Sequence, residues 1–247
     1  MKKSYRFLSL IVSALVIALL AFSCGKRTTD EEEPAPKPYP KPHWYSPTPG
    51  ANGTLPEAVL PEELYDTVTE FFTVFSGTTP PPLEGEFVSR PHMLLYSTYE
   101  YDTVLEYNDR YVAFFINDSL VDFLGQQADE HGEMYEETKR GLFLLGTGDS
   151  FTCYYLTEAY PNGLYAKQST IFSGRWDESY GGLRDFQVAV VLLETSGNSH
   201  LAPVNSFRVL GDGDGLAEDT LWIPEKKALS EDLEVSAEDA FRMFRVK

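Results

Sequence analysis

Four carboxylates crowd the stretch Asp212-Gly213-Asp214-Gly215-Leu216-Ala217-Glu218-Asp219, and the glycines between them let the chain fold back on itself. Hard oxygen ligands on a flexible loop suit Ca2+, so Asp212, Asp214, Glu218 and Asp219 are the candidate metal ligands. The stretch departs from a helix-flanked calcium loop: Leu216 stands at the fifth position, and no glutamate closes the loop. The competing reading is a polar turn between Val209-Leu210 and Thr220-Leu221-Trp222-Ile223. Gly148-Asp149-Ser150 places a serine behind the apolar run Leu142–Leu145, but a serine attacks an ester only beside a general base. The last histidine, His200, has Gly197 three residues before it rather than an acid. His43, His92, His131 and His200 show no paired spacing, so no zinc site is indicated. Acid pairs such as Glu62-Glu63 are too common to nominate glycosidase carboxylates. No nucleophile–base pair and no organic cofactor follow from these spacings. Trp176, Tyr180 and Trp222 are the candidate contacts for a sugar ring or a partner, Arg175–Tyr180 being the most polar-flanked aromatic loop; packing in a core is the alternative.

The elements that hold these residues begin outside the folded part. Lys2, Lys3 and Arg6 precede an apolar run from Phe7 to Phe22, and small residues lie before Cys24. This is the pattern of a secretory signal. Leu20-Ala21-Phe22-Ser23-Cys24 resembles a bacterial lipobox. That resemblance implies cleavage after residue 23, acylation of Cys24 and a membrane link through covalent lipid. Cys153 is then the only free thiol, which excludes an internal disulfide and a cysteine-bound metal. Asp30-Glu31-Glu32-Glu33 resembles the acidic cluster of surface-exported lipoproteins, which implies an outer-membrane protein facing the medium. An ordinary solvated charge run, with the domain on the periplasmic face, is the alternative. From Pro34 to Pro42 every second residue is proline, which favours an extended spacer. Residues 24–56 read as a tether reaching on the order of 70–100 Å when extended. Beyond the signal, 17 basic side chains face 38 acidic ones, a balance of −21. Such acidity excludes nucleic acid as a partner and leaves the lipid as the membrane contact.

Residues 57–247 read as one β-rich domain. Pro61-Glu62-Glu63 opens a helical pattern, and Leu64, Val68, Phe71, Phe72 and Phe75 fall on one helical face before Gly77, a natural cap. Pro80-Pro81-Pro82 ends any helix. Short alternating runs separated by turn residues then predict strands over 85–88, 93–97, 103–107, 111–116, 119–124, 141–145, 151–156, 165–172, 186–193 and 205–210. Gln187–Leu193 is apolar on both faces, as a covered central strand is. The spacing predicts an antiparallel barrel or, alternatively, a β-sandwich. A helix, a proline-rich exit and then Gly85-x-Phe87 leading a meander of strands is similar to the lipocalin-like (calycin) lipoproteins. That resemblance implies a barrel holding a small apolar ligand.

The sequence therefore points to a lipid-anchored binding protein, for a small apolar ligand in a barrel or, alternatively, for a glycan or protein at its surface; an enzyme of unknown type is the third reading. Labelled palmitate is expected to enter the precursor, and Cys24→Ala is expected to abolish labelling and leave the signal uncut. Equal labelling of the variant would remove the anchor from this reading.

Overall fold

The computed structural model describes residues 44–45, 47–117, 120–128, 132, 134–160, 163–197, 199 and 201–220. The signal, Cys24, the acidic cluster, the proline-rich spacer, Trp222, His43, His131 and His200 lie outside the described residues. The elements in chain order are β1 (Trp44–Tyr45), α1 (Glu62–Thr69), β2 (Thr78–Thr79), β3 (Gly85–Ser89), β4 (His92–Ser97), β5 (Glu106–Tyr107), β6 (Arg110–Asn117), β7 (Leu120–Ala128), β8 (Met134–Thr147), β9 (Ser150–Ala159), β10 (Ala166–Asp177), β11 (Gly182–Thr195), β12 (Phe207–Asp212) and β13 (Leu216–Asp219).

Eight of these strands close a ring: β3, β6, β7, β8, β9, β10, β11 and β13, each antiparallel to its neighbours, with β13 returning to β3. The protein is an antiparallel eight-stranded barrel with extra strands, as the lipocalin-like reading implies, and not a sandwich. All ten runs expected from the sequence contribute to strands, most of them longer than their apolar core. The folded unit also starts upstream of residue 57, because Trp44 and Tyr45 pair with Thr157 and Leu156 of β9.

The ring forks at β11. Leu183-Arg184 pair with β13, whereas Gln187–Val191 pair with β12. Two strand pairs bend together at this fork. Between β3 and β4 the chain breaks at Arg90-Pro91, and between β12 and β13 it breaks at Gly213–Gly215. The Asp212 carboxylate ties the breaks: one oxygen accepts the Arg90 N–H (2.9 Å), the other the N–H groups of Asp214 (3.2 Å), Gly215 (3.0 Å) and Leu216 (3.0 Å). Strands β12, β4 and β5 therefore leave the ring as a flap. Within that flap buried Arg208 donates to both oxygens of Asp102 (2.6 and 2.5 Å), which pins the loop from Thr98 to Leu105.

Alternation divides the apolar residues between two cores. Phe87, Phe114, Phe123, Phe151, Phe172 and Phe186 fill one part of the barrel interior, with ring centroids as close as 4.7 Å for Phe123 and Phe172. Val188, Val190 and Leu192 of β11 join this inner core, while Ala189 and Val191 face outward beneath Leu64, Val68 and Phe72. The two-faced apolar strand is thus covered on both sides, and α1 lies against the outside of the barrel.

The helix is shorter than its stripe. It ends at Thr69, and Phe71, Phe72 and Phe75 follow it in turn and extended chain. Two causes are visible. The Thr69 hydroxyl donates back to the Tyr65 carbonyl (2.7 Å), competing with continuation of the helix. Beyond it, the sheet captures the chain: Thr73 N–H donates to the Gln187 side chain (3.1 Å) and Phe75 N–H to the Thr152 hydroxyl (2.8 Å). Gly77 is not a helix cap; its N–H donates to the Gly53 carbonyl and its carbonyl accepts from Gly146. Phe72 is nonetheless buried in the outer core, and Phe71 stacks on Tyr96 at 3.5 Å between centroids. Phe72→Ala is expected to cost about 3–5 kcal/mol in urea denaturation, whereas the exposed Glu70→Ala is expected to stay within about 0.5 kcal/mol. Equal midpoints for the two variants would mean that the outer core does not stabilise the barrel.

Candidate functional site in the polar half of the barrel

One side of the barrel interior is not apolar. Its residues come from a phase change in β8. Val121 pairs with Leu142 but Phe123 pairs with Lys139, so one residue of β8 is extra. Gly141 supplies the left-handed φ of 71° that such a bulge needs, and its N–H donates to Asp122 (2.9 Å). After the bulge Leu142 and Leu144 point inward; before it Glu137 and Lys139 do. Without the extra residue both charged side chains would face solvent.

Around them a network closes. Arg110 donates to one oxygen of Glu137 at 3.1 Å, and the Tyr155 hydroxyl donates to the other. Gly125 faces Glu137 across the ladder, where a Cβ would come within 2.6 Å of the Arg110 guanidinium. A glycine there leaves the space in which Arg110 lies. The Lys139 amine sits 5.0 Å from the centre of the Tyr155 ring. On β10, Gln168 donates to Thr170 at 3.1 Å. The Gln168 carbonyl oxygen and the Thr157 hydroxyl, both buried and on neighbouring inward positions, have no hydrogen-bond partner among the described residues. Buried polar atoms are nearly always satisfied; Ser169 and Ser173, on the outward face of β10, carry buried hydroxyls in the same state.

Burial sets the protonation of the cluster. It holds the Lys139 amine well below its ordinary 10.5, against the opposing pull of Glu137, and so favours the neutral amine. Burial, then the Glu137 charge, pushes the Tyr155 phenol up, which keeps it a donor. His92, buried with Nδ1 3.1 Å from the Ser89 hydroxyl, is lowered from 6.5 to about 3 by burial and by the Arg110 charge. The interior thus presents an amine, a phenol, an ion pair and two oxygens without partners.

The ladder also leaves a seam here. Strands β8 and β9 pair only over Phe143–Thr147 and Ser150–Tyr154. Past that point β8 stays with β7, and β9 takes Trp44-Tyr45 on the freed edge. Glu137, Lys139, Tyr155 and Thr157 border that separation.

The residues singled out in the sequence lie elsewhere. Asp212 and Asp214 share a turn, but Asp212 is engaged by backbone N–H groups, and Glu218 and Asp219 are consecutive on β13 and project to opposite faces. Among the described residues no three His, Cys, Asp or Glu side chains converge as a metal site would require. Asp212, with Asp214 accepting the Leu216 N–H, clamps the backbone of this turn. Trp176 is half-buried and packs edge-on to Phe87 (5.8 Å, 80°) against the inner core. Tyr180 is exposed at a hairpin tip with the Arg184 guanidinium 4.9 Å over its ring. Ser150 donates to the Thr147 carbonyl (2.8 Å), as a turn residue does. Sequence reading missed Glu137 and Lys139 because Tyr135–Arg140 is polar at most positions and reads as loop; the available signal was a glycine at the junction of polar and apolar runs. The chain matches no protein-family model, no curated protein and no solved structure.

The His92 shift has a defined sign. The native state keeps it neutral, so stability is lost as pH falls from 6.5 toward about 3, where the unfolded chain alone binds the proton. The slope expected from one such histidine is about 1.4 kcal/mol per pH unit. His92→Asn is expected to flatten urea-denaturation stability between pH 6.5 and about 4.5, above the main carboxylate range. An unchanged slope would place that titration elsewhere.

Proposed function

We propose that this chain is an extracytoplasmic binding protein, anchored in the outer membrane by lipid on Cys24 and facing the medium, whose barrel takes a small ligand. The observation that carries the reading is the pair of buried, inward oxygens on Gln168 and Thr157 that lack partners, beside the ion pair and the seam. A wholly structural core would place apolar side chains there, because burying polar groups without partners is destabilising. The phenylalanine side of the interior is filled. The ligand is therefore compact, with an apolar part against the edge of that cluster and polar atoms toward Gln168, Thr157 and Tyr155. An apolar ligand without polar atoms leaves those oxygens unanswered.

A second reading has its own support. Leu95, Tyr101, Val104 and Leu105 are exposed on the flap and its loop, and exposed apolar residues so grouped suit a protein or glycan partner. The two readings separate by experiment. Native mass spectrometry of protein from its own host is expected to show a retained small molecule that Gln168→Leu with Thr157→Val loses and Tyr101→Ser with Leu105→Ser keeps. A retained mass lost only from the flap variant would favour the surface reading. Spectra without any bound mass, together with unchanged melting across a panel of small polar–apolar compounds, would overturn the barrel site.

A further inference from the structure

We propose that the Lys139 amine captures its ligand covalently, forming an imine with the carbonyl carbon of a small aldehyde or ketone. This deepens the reading of the barrel as a ligand site and rests on it. The geometry begins with the bulge: Gly141 rotates the polar part of β8 inward, so that Lys139, cross-strand from Phe123, lies inside with 3 % of its surface exposed. Glu137, two residues earlier on the same face, is held in place by Arg110 and Tyr155. The amine lies against the Tyr155 ring rather than over open solvent. A lysine that served only to fill this space would be replaced at lower cost by methionine.

The chemistry balances without a co-reactant. An ordinary lysine is protonated at neutral pH and does not add to a carbonyl; burial is one of the two ways a lysine becomes nucleophilic, and burial is what lowers this one. The nitrogen lone pair forms the N–C bond while the carbonyl π pair moves to oxygen. The proton released by nitrogen goes to that oxygen. A second proton transfer from nitrogen to the hydroxyl expels water as C=N forms. Amine and carbonyl yield imine and one water, with no change of oxidation state. When the imine nitrogen takes up a proton, Glu137 is its counter-ion, and the apolar side of the barrel limits hydrolysis by excluding water.

The test uses the full chain, benzaldehyde as the probe and sodium cyanoborohydride to fix any imine, with sites read by peptide mapping at pH 7. Lys139 is expected to be alkylated at least about tenfold faster than Lys167, which lies on the barrel exterior beside Glu194. Lys139→Met is expected to lose the fast phase and to melt at the parent temperature or above. Labelling of Lys139 no faster than that of Lys167 would overturn the imine. The binding reading is tested separately with benzyl alcohol, which has no carbonyl: a rise in melting temperature with that compound, without fast alkylation by the aldehyde, would retain the site and discard the covalent step.

Discussion

The barrel depends on a single carboxylate. Closure of the ring runs through β13, which has two rungs on each side: Glu218 and Asp219 meet Val88 and Phe87, and Ala217 and Leu216 meet Leu183 and Arg184. Two rungs are few for strands that lie beside breaks, β13 just after one and β3 just before the other. Asp212 supplies what is missing, accepting four backbone N–H groups across both breaks, and Gly213 adds an N–H to the Pro91 carbonyl (2.8 Å). Charge-assisted bonds of this kind are stronger than neutral ones. The fork of β11 and the departure of the flap lie beside that clamp.

Much of this architecture is legible in the residues themselves. Phe151, Cys153 and Tyr155 alternate with polar or outward neighbours, and their strand is where alternation puts it. Gln187–Leu193 reads as covered on both faces because two cores do cover it. The helix stripe misleads because periodicity records which residues are buried, not how the backbone reaches burial: Phe72 is buried from a turn as well as it would be from a helix. The polar interior is illegible for a different reason. Facing direction in a strand is a parity, and one extra residue at Gly141 reverses it for everything upstream. No property of Glu137 or Lys139 taken alone records that reversal.

A barrel that places Arg110, Glu137 and Lys139 among phenylalanines accepts a thermodynamic cost. Desolvation of a buried ion pair commonly offsets its attraction, and discharging a lysine opposes folding until pH approaches its ordinary 10.5. The surrounding structure supplies the compensation. The inner aromatic cluster and the outer core share β8, β9, β10 and β11, so each of those strands is fixed from both sides. Polar groups held on such rigid strands keep their spacing, which loops would not ensure.

The flap has a consequence for how molecules of this protein meet one another. Among the described residues it ends in β5, a strand of only two residues, Glu106 and Tyr107. A longer flat edge would offer a row of free backbone donors and acceptors on which a neighbouring chain could add a strand. Here the template stops after two positions and carries an exposed acid at its first. At this margin the template for an added strand is thereby limited to two positions.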